Sequence, residues 1–339
     1  MRTSLPFFFA TFIVGSSFVF AACGGASAGN GFETPDAGSA ASTEGGSLPD
    51  DSGGLGGGGG DGSVATGPAI FYVHTNDTLY SVDPANVSAP PKMIGTFSCI
   101  GKGSGQESSM TDIAVAKDGS LYAVSQTAAH PLTISGSNVK CTATWPLPSK
   151  NNNFYGLTVA PENTVDTQET LIAADDSGGL WKIDSTTGFT TQVGTLGKDP
   201  SSGKAWGLSG DIVFLANGGS PIGFATVRVN TTDTDTLIQL DVSLVKPGTG
   251  SAMKSVRGKV QQKSGCAAPT TGTMPAVGFG FKSMYGIAAY QDKVYGFSHQ
   301  GDIVEIDNSD GTACLLNNIG SSQFSGAGIT TSAPVVAPR

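Results

Sequence analysis

Beyond residue 67 the chain breaks into apolar runs of strand length separated by Gly, Asp, Asn and Ser. No window keeps helical spacing over three turns, so the pattern predicts an all-β domain. One five-residue pattern recurs: two apolar residues, a polar one, an apolar one, then Asp. It stands at Leu79–Asp83, Leu180–Asp184, Leu237–Asp241 and Ile303–Asp307, with a degenerate copy at Leu132–Ser135. Strand alternation predicts that the second and fourth residues face the core and the third faces water. The closing Asp is suited to accept N–H groups of the turn that follows. A second apolar run precedes each copy, at Ile70–Val73, Leu121–Val124, Leu171–Ala174, Phe224–Val227 and Val294–Phe297, so each pair reads as a hairpin. A third element lies earlier still, at Asp112–Ala114, Gly156–Thr158, Gly207–Ser209, Gly286–Ala288 and Gly328–Thr330. A fourth follows the hairpin, beginning near Lys92, Val139, Phe189, Lys254 and Thr312.

Four antiparallel strands per unit, repeating at roughly 42–80 residues, are what propeller blades require. The chain enters this domain at a second-strand element and leaves it after a first-strand element, so both ends complete one blade and remove an exposed edge. The expectation is a single β-propeller over residues 68–339, with five four-stranded blades, or six if residues 246–282 hold another. The repeat resembles the NHL and quinoprotein-like propeller superfamilies, which share a glycine–apolar–alanine first strand and an apolar–Asp third strand. It lacks the Trp-Asp dipeptide of WD repeats and the paired Gly of kelch repeats. The resemblance implies an architecture; such folds carry binding proteins, lactonases and lyases alike.

The N-terminus has a different character. Arg2 precedes an apolar stretch from Leu5 to Phe20 that ends in Phe20-Ala21-Ala22-Cys23. This reads as an export signal over residues 1–22. Its last residues resemble the bacterial lipoprotein box, with Phe20 where that family prefers Leu, and this implies diacylation of Cys23 and a membrane anchor there. Gly24 follows in place of an Asp that would retain the protein at the inner membrane, which points to the outer membrane. Residues 23–67 carry no Lys or Arg and are mostly Gly, Ser and Ala, with five consecutive glycines at 56–60. Such a segment buries too little apolar surface to offset its ordering entropy. It is expected to be a disordered tether with a reach of roughly 35–40 Å.

Charge changes the picture little. The formal net charge is -9, but six of the acids (Glu33, Asp36, Glu44, Asp50, Asp51 and Asp61) belong to the tether. No basic patch suits a nucleic acid. Apart from Cys23 the cysteines are Cys99, Cys141, Cys266 and Cys314. An even number in an exported chain points to disulfides. The repeat register puts Cys99 and Cys141, and Cys266 and Cys314, on the outer strands of adjacent blades, which favours those two pairs.

The chemistry on offer is sparse, and no metal or cofactor is expected. Gly25-Ala26-Ser27-Ala28-Gly29 has the letters of a nucleophile elbow but lies in the tether, without the strand-to-helix turn that motif needs. Ser298, His299 and Asp302 sit at a hairpin bend, where adjacent residues point to opposite faces. Asp233 and Asp235, and Asp307 to Asp310, lack the full alternating-oxygen calcium loop. Gly101 to Gly105 reads as a flexible inter-blade loop. Tyr155, Trp206 and Tyr285 occupy one equivalent position ahead of the first strand in three blades, where flat amphipathic rings are able to stack a glycan or grip a peptide. The leading expectation is therefore a monomeric, non-catalytic binding or scaffold lipoprotein of the cell envelope, with a protein, peptide or glycan partner on one propeller face. The alternatives are a lactonase-like hydrolase or lyase, which needs several carboxylates or imidazoles converging on the funnel, and a purely structural envelope component.

Overall fold

A computed structural model describes residues 69–148, 152–216, 221–291, 293–320 and 323–333. The expected signal, the lipidation site Cys23 and the tether lie outside them. Two motif registers set the local structure. The apolar runs form hairpins, and each closing Asp turns the chain: Asp83 Oδ1 accepts from Ala85 N–H, Asp184 Oδ1 from Thr186 and Thr187, Asp241 Oδ1 from Ser243, and Asp307 Oδ1 from Ser309.

The strands in chain order are β1 (Phe71–His74), β2 (Thr78–Val82), β3 (Lys92–Phe97), β4 (Met110–Val115), β5 (Leu121–Ser125), β6 (Ala128–Ser135) and β7 (Asn138–Cys141), then the two-residue β8 (Trp145–Pro146). They continue as β9 (Phe154–Ala160), β10 (Thr170–Asp175), β11 (Gly179–Ile183), β12 (Thr190–Thr195), β13 (Gly207–Leu215), β14 (Ile222–Arg228), β15 (Thr236–Leu240) and β16 (Met253–Lys259). The last are β17 (Gly286–Tyr290), β18 (Lys293–Phe297), β19 (Asp302–Ile306), β20 (Ala313–Asn318) and β21 (Gly326–Gly328). β9–β12, β13–β16 and β17–β20 make separate four-stranded antiparallel sheets. The remaining strands form a larger sheet in which the units β21-β1-β2-β3 and β7-β6-β5-β4 are joined. The first and last described strands meet in it: β21 pairs antiparallel with β1, with Val73 opposite Ala327.

The fold is propeller-like and all-β. The inner strands β4, β9, β13, β17 and β21 pack each beside the next, and β21 returns to β4. Between every two consecutive units lies one apolar cluster, for example Leu79, Phe97, Ile113 and Val139, or Phe71, Phe297, Ile303 and Phe324. Of residues 246–282, the stretch in which a further unit would lie, Met253–Lys259 form β16 of the sheet β13–β16, and residues 260–282 make isolated bridges such as Gln261 with Gly280 and no sheet of their own.

Sandwiching corrects one expectation. In the recurring motif the first residue, expected to face water with the third, is buried with the fourth in all four copies (Leu79 and Val82, Leu180 and Ile183, Leu237 and Leu240, Ile303 and Ile306). The second is fully buried only as Ile238 and Val304, Tyr80 and Trp181 being half-buried. Each sheet is covered on both faces, so simple alternation fails. A bulge in the outer strand also falls opposite the first two motif residues in four units, between Leu79/Tyr80, Leu180/Trp181, Leu237/Ile238 and Ile303/Val304. Bulges bend the outer strand and increase its twist. Two disulfides hold the rim, Cys99–Cys141 and Cys266–Cys314. The first sits two residues beyond the parallel pair Phe97–Val139, which is what fuses the two units. Disulfides belong to oxidising compartments and hint at export. Among the described residues no helix is long and apolar enough to cross a membrane.

Candidate functional site

Five equivalent inner-strand positions face the centre of the domain: Asp112, Gly156, Asp211, Gly286 and Gly326. The residue after each donates its main-chain N–H to one of two carboxyl groups. Ile113 and Ala327 donate to Asp112 Oδ1 at 2.8 and 3.2 Å, and Leu157 donates to Oδ2. Ile212 donates to Asp211 Oδ1 at 2.6 Å and Ile287 to Oδ2 at 2.8 Å. All five inner strands are thus tied to one pair of side chains. The two carboxyls also hydrogen-bond each other, and both are 0% exposed. Burial is the main cause that raises both above the usual carboxylate range. The negative charge of Asp211 raises Asp112 further, while the hydrogen bond from Asp112 and the N–H donors hold Asp211 at about 7. The hydrogen bond between two carboxyl groups requires a proton between them, so the pair shares one.

Glycine at the other positions makes room. A Cβ on Gly326 would lie 2.4 Å from both Asp112 Oδ1 and His74 Nε2. His74 is fully buried and donates Nδ1–H to the Thr75 carbonyl at 2.7 Å, which leaves Nε2 an unprotonated acceptor with no partner. Burial lowers this imidazole to about 4, so it is neutral.

On one side of the carboxyl pair lies an apolar funnel of about 170 Å³ lined by inner-strand residues such as Ile113, Leu157, Ile212 and Ile287, with Thr331 and Ala333 at its wall. A second cavity is polar. It holds about 270 Å³ between Tyr155, Asp176, Ser209, Arg228, Asn230 and Tyr285. The ends of β9, β10, β13 and β14 supply most of it. Tyr155 Oη accepts from Gln126 Nε2 at 3.1 Å. Burial, then the charge of Asp176, then Tyr285 raise the Tyr155 phenol; the bond from Gln126 and the charge of Arg228 oppose them. Behind Ser209 the buried Asp235 accepts from the Ser209 hydroxyl at 2.5 Å and from Met284 N–H at 2.7 Å. Its pKa is raised by burial.

Of the three aromatic residues singled out by the repeat, Tyr155 and Tyr285 share this recess. Trp206 does not. It is 3% exposed in the cluster between the third and fourth units, with its indole N–H unpartnered, and it lines a different cleft. Its strand is the reason: β13 carries an irregularity between Leu208 and Ile212, so the axial residue is Asp211 rather than one in Gly207–Ser209. The closing strand is similarly offset, with Gly326 and Ala327 on the axis rather than Gly328 and Ile329. Asp211 escaped the repeat reading for the same cause, although the dipeptide Asp112-Ile113 recurs as Asp211-Ile212. Ser298 donates to Asp302 at 2.8 Å in a turn, and His299 rests its ring against Tyr285 at 5.2 Å. Asp233 caps a turn through Asn230 while Asp235 is buried, so the two do not act together on a cation. Cys99, His130 and Cys141 cluster closely enough to suggest a metal, but both sulfurs are committed to the disulfide.

No family model matches the chain, and no curated protein matches it. Among solved structures it is similar to a protein of unknown function from Bacteroides caccae, with 10% identity and a TM-score of 0.42 over 78% of this chain and 99% of that one. It is also similar to the glutaminyl cyclase of Myxococcus xanthus, with 16% identity and a TM-score of 0.36 over 66% of this chain and 70% of that one. Similarity at this level assigns no activity here.

Proposed function

We propose that this chain is a ligand-binding lipoprotein of the cell envelope: a five-bladed β-propeller, anchored through Cys23 to the outer membrane, that takes its ligand in the polar recess beside Tyr155 and Tyr285. One observation carries the reading. The recess gathers groups suited to recognition (two phenol rings, a guanidinium, a carboxylate, an amide), while the acids at the axis are sealed and saturated by main-chain donors. Concave sites with a few convergent polar groups are the usual form of small-ligand binding. The blade count rests on the five inter-unit clusters and on the return of β21 to β1.

The hydrolase or lyase reading has one specific observation in its favour. Asp112, Asp211 and His74 Nε2 converge on the axis, and a carboxyl pair sharing a proton is a known acid–base device. Full burial and five N–H donors suit a strut better than a reagent.

The test is a screen of the full chain against immobilised glycans, peptides and envelope metabolites, repeated with Tyr155→Ala and Tyr285→Ala. Selective loss of a captured ligand in both variants supports the recess. Capture of every ligand at wild-type levels by both variants overturns it. Turnover of any screened compound that is lost in Asp211→Asn would favour the enzyme.

A further inference from the structure

We infer that the recess takes a small zwitterion of the α-amino-acid kind, with its carboxylate on Arg228, its ammonium group on Asp176 and its body between the rings of Tyr155 and Tyr285. This rests on the recess being the binding site and adds the class of ligand.

Four observations lead to it. Arg228 ends β14 half-buried in the recess, and among the described residues it forms no ion pair; the ion pairs there all use lysine. Asp176 lies in the same cavity, half-buried, and its carboxylate accepts one long hydrogen bond, 3.4 Å from Asn153. A cation and an anion thus line one small space without closing on each other, which leaves a gap that a molecule with both charges bridges. The acid nearest in the chain to β15, Asp235, is already committed to Ser209 and Met284, so it does not compete for the guanidinium by hydrogen bonding. Tyr155 and Tyr285 line the same cavity of about 270 Å³ as Arg228 and Asp176, so the two rings and both charges border one small space.

The chemistry of each group selects its partner. A guanidinium matches a carboxylate through two parallel N–H···O bonds, a geometry that lysine does not offer. A carboxylate beside two aromatic faces favours an ammonium group, which gains from the charge and from the rings. A cavity of about 270 Å³ is small for an oligosaccharide and lies just below the usual range for drug-sized ligands. Asn230 and Thr231 at the rim supply hydrogen bonds to the remainder of the ligand.

The experiment uses the full chain and calorimetric titration with the twenty free proteinogenic amino acids as probes. The best binder is then compared with its N-acetyl derivative, which lacks the ammonium group, and with its α-amide, which lacks the carboxylate. Each derivative is expected to bind about tenfold or more weakly, the scale of one charge-assisted hydrogen bond. Arg228→Gln should abolish the preference for acid over amide, and Asp176→Asn the preference for amine over N-acetyl, with melting temperatures unchanged. Absence of binding by every free amino acid overturns the inference, and so does equal binding of the derivatives. A glycan or peptide released by Tyr155→Ala but indifferent to Arg228→Gln leaves the recess as the site and overturns the zwitterion alone. A ligand indifferent to both tyrosine variants overturns the recess itself.

Discussion

Replacing Asp112 by alanine withdraws the acceptor from three buried N–H groups, those of Ile113, Leu157 and Ala327, which belong to three different units. Each orphaned donor costs about 1–3 kcal/mol, so the loss is about 3–9 kcal/mol. That is comparable with the whole stability of an ordinary domain, about 5–15 kcal/mol. Asp112→Asn should be far milder. Its carbonyl oxygen still accepts from Ile113 and Ala327, and its amide N–H donates to Asp211 in place of the shared proton. Only the Leu157 donor loses its partner, at about 1–3 kcal/mol. The shared proton adds a pH signature. Asp211 is raised to about 7 in the fold, so folding favours the protonated form. Its stabilisation is complete below about pH 4, where the unfolded acid is protonated as well, and is lost as pH rises through 7. Across that window the change is roughly 4 kcal/mol for this group. Urea unfolding at pH 5, 7 and 8.5 measures both effects, with Asp211→Asn as the reference that removes the titration. If alanine and asparagine at position 112 unfold alike, or if wild type and Asp211→Asn share one pH profile, the strut account is wrong.

Gly326→Ala should destabilise the domain by about 1–3 kcal/mol in thermal melts, because its Cβ would meet Asp112 Oδ1 and His74 Nε2 at 2.4 Å within a paired strand. A melt indistinguishable from wild type would show that the axis has slack. The disulfides close spans of 42 and 48 residues, so removing either by paired Cys→Ala substitution should cost about 4 kcal/mol on the chain-entropy scale. Denaturant midpoints with and without reductant measure this, and an unchanged midpoint counts against any role of the rim in stability. For the proposed anchor, Cys23→Ser should abolish fatty-acid labelling in the native bacterium and move the chain from the membrane to the soluble fraction; continued labelling would refute it.

The all-β class, the hairpins, the turn role of the closing aspartates, the meeting of the first and last described strands and the presence of two disulfides were all legible in the order of residues. Each depends on near neighbours or on a repeat that copies itself. A strand followed by Asp and a tight turn has one local solution, and a unit missing its first strand at one end of the domain and supplied with it at the other has few ways to close. The site belongs to another level. Asp112 and Asp211 meet only because the inner strands are brought side by side around one axis, and an irregularity in β13 shifts the axial position there to Asp211. The same shift sends Trp206 into the core while Tyr155 and Tyr285 border a recess that also receives Arg228 and Asp176. Composition and alternation set which residues form strands. Register across the packed sheets decides which side chains share a cavity, because an offset of a few residues in one strand exchanges the partners of a whole face.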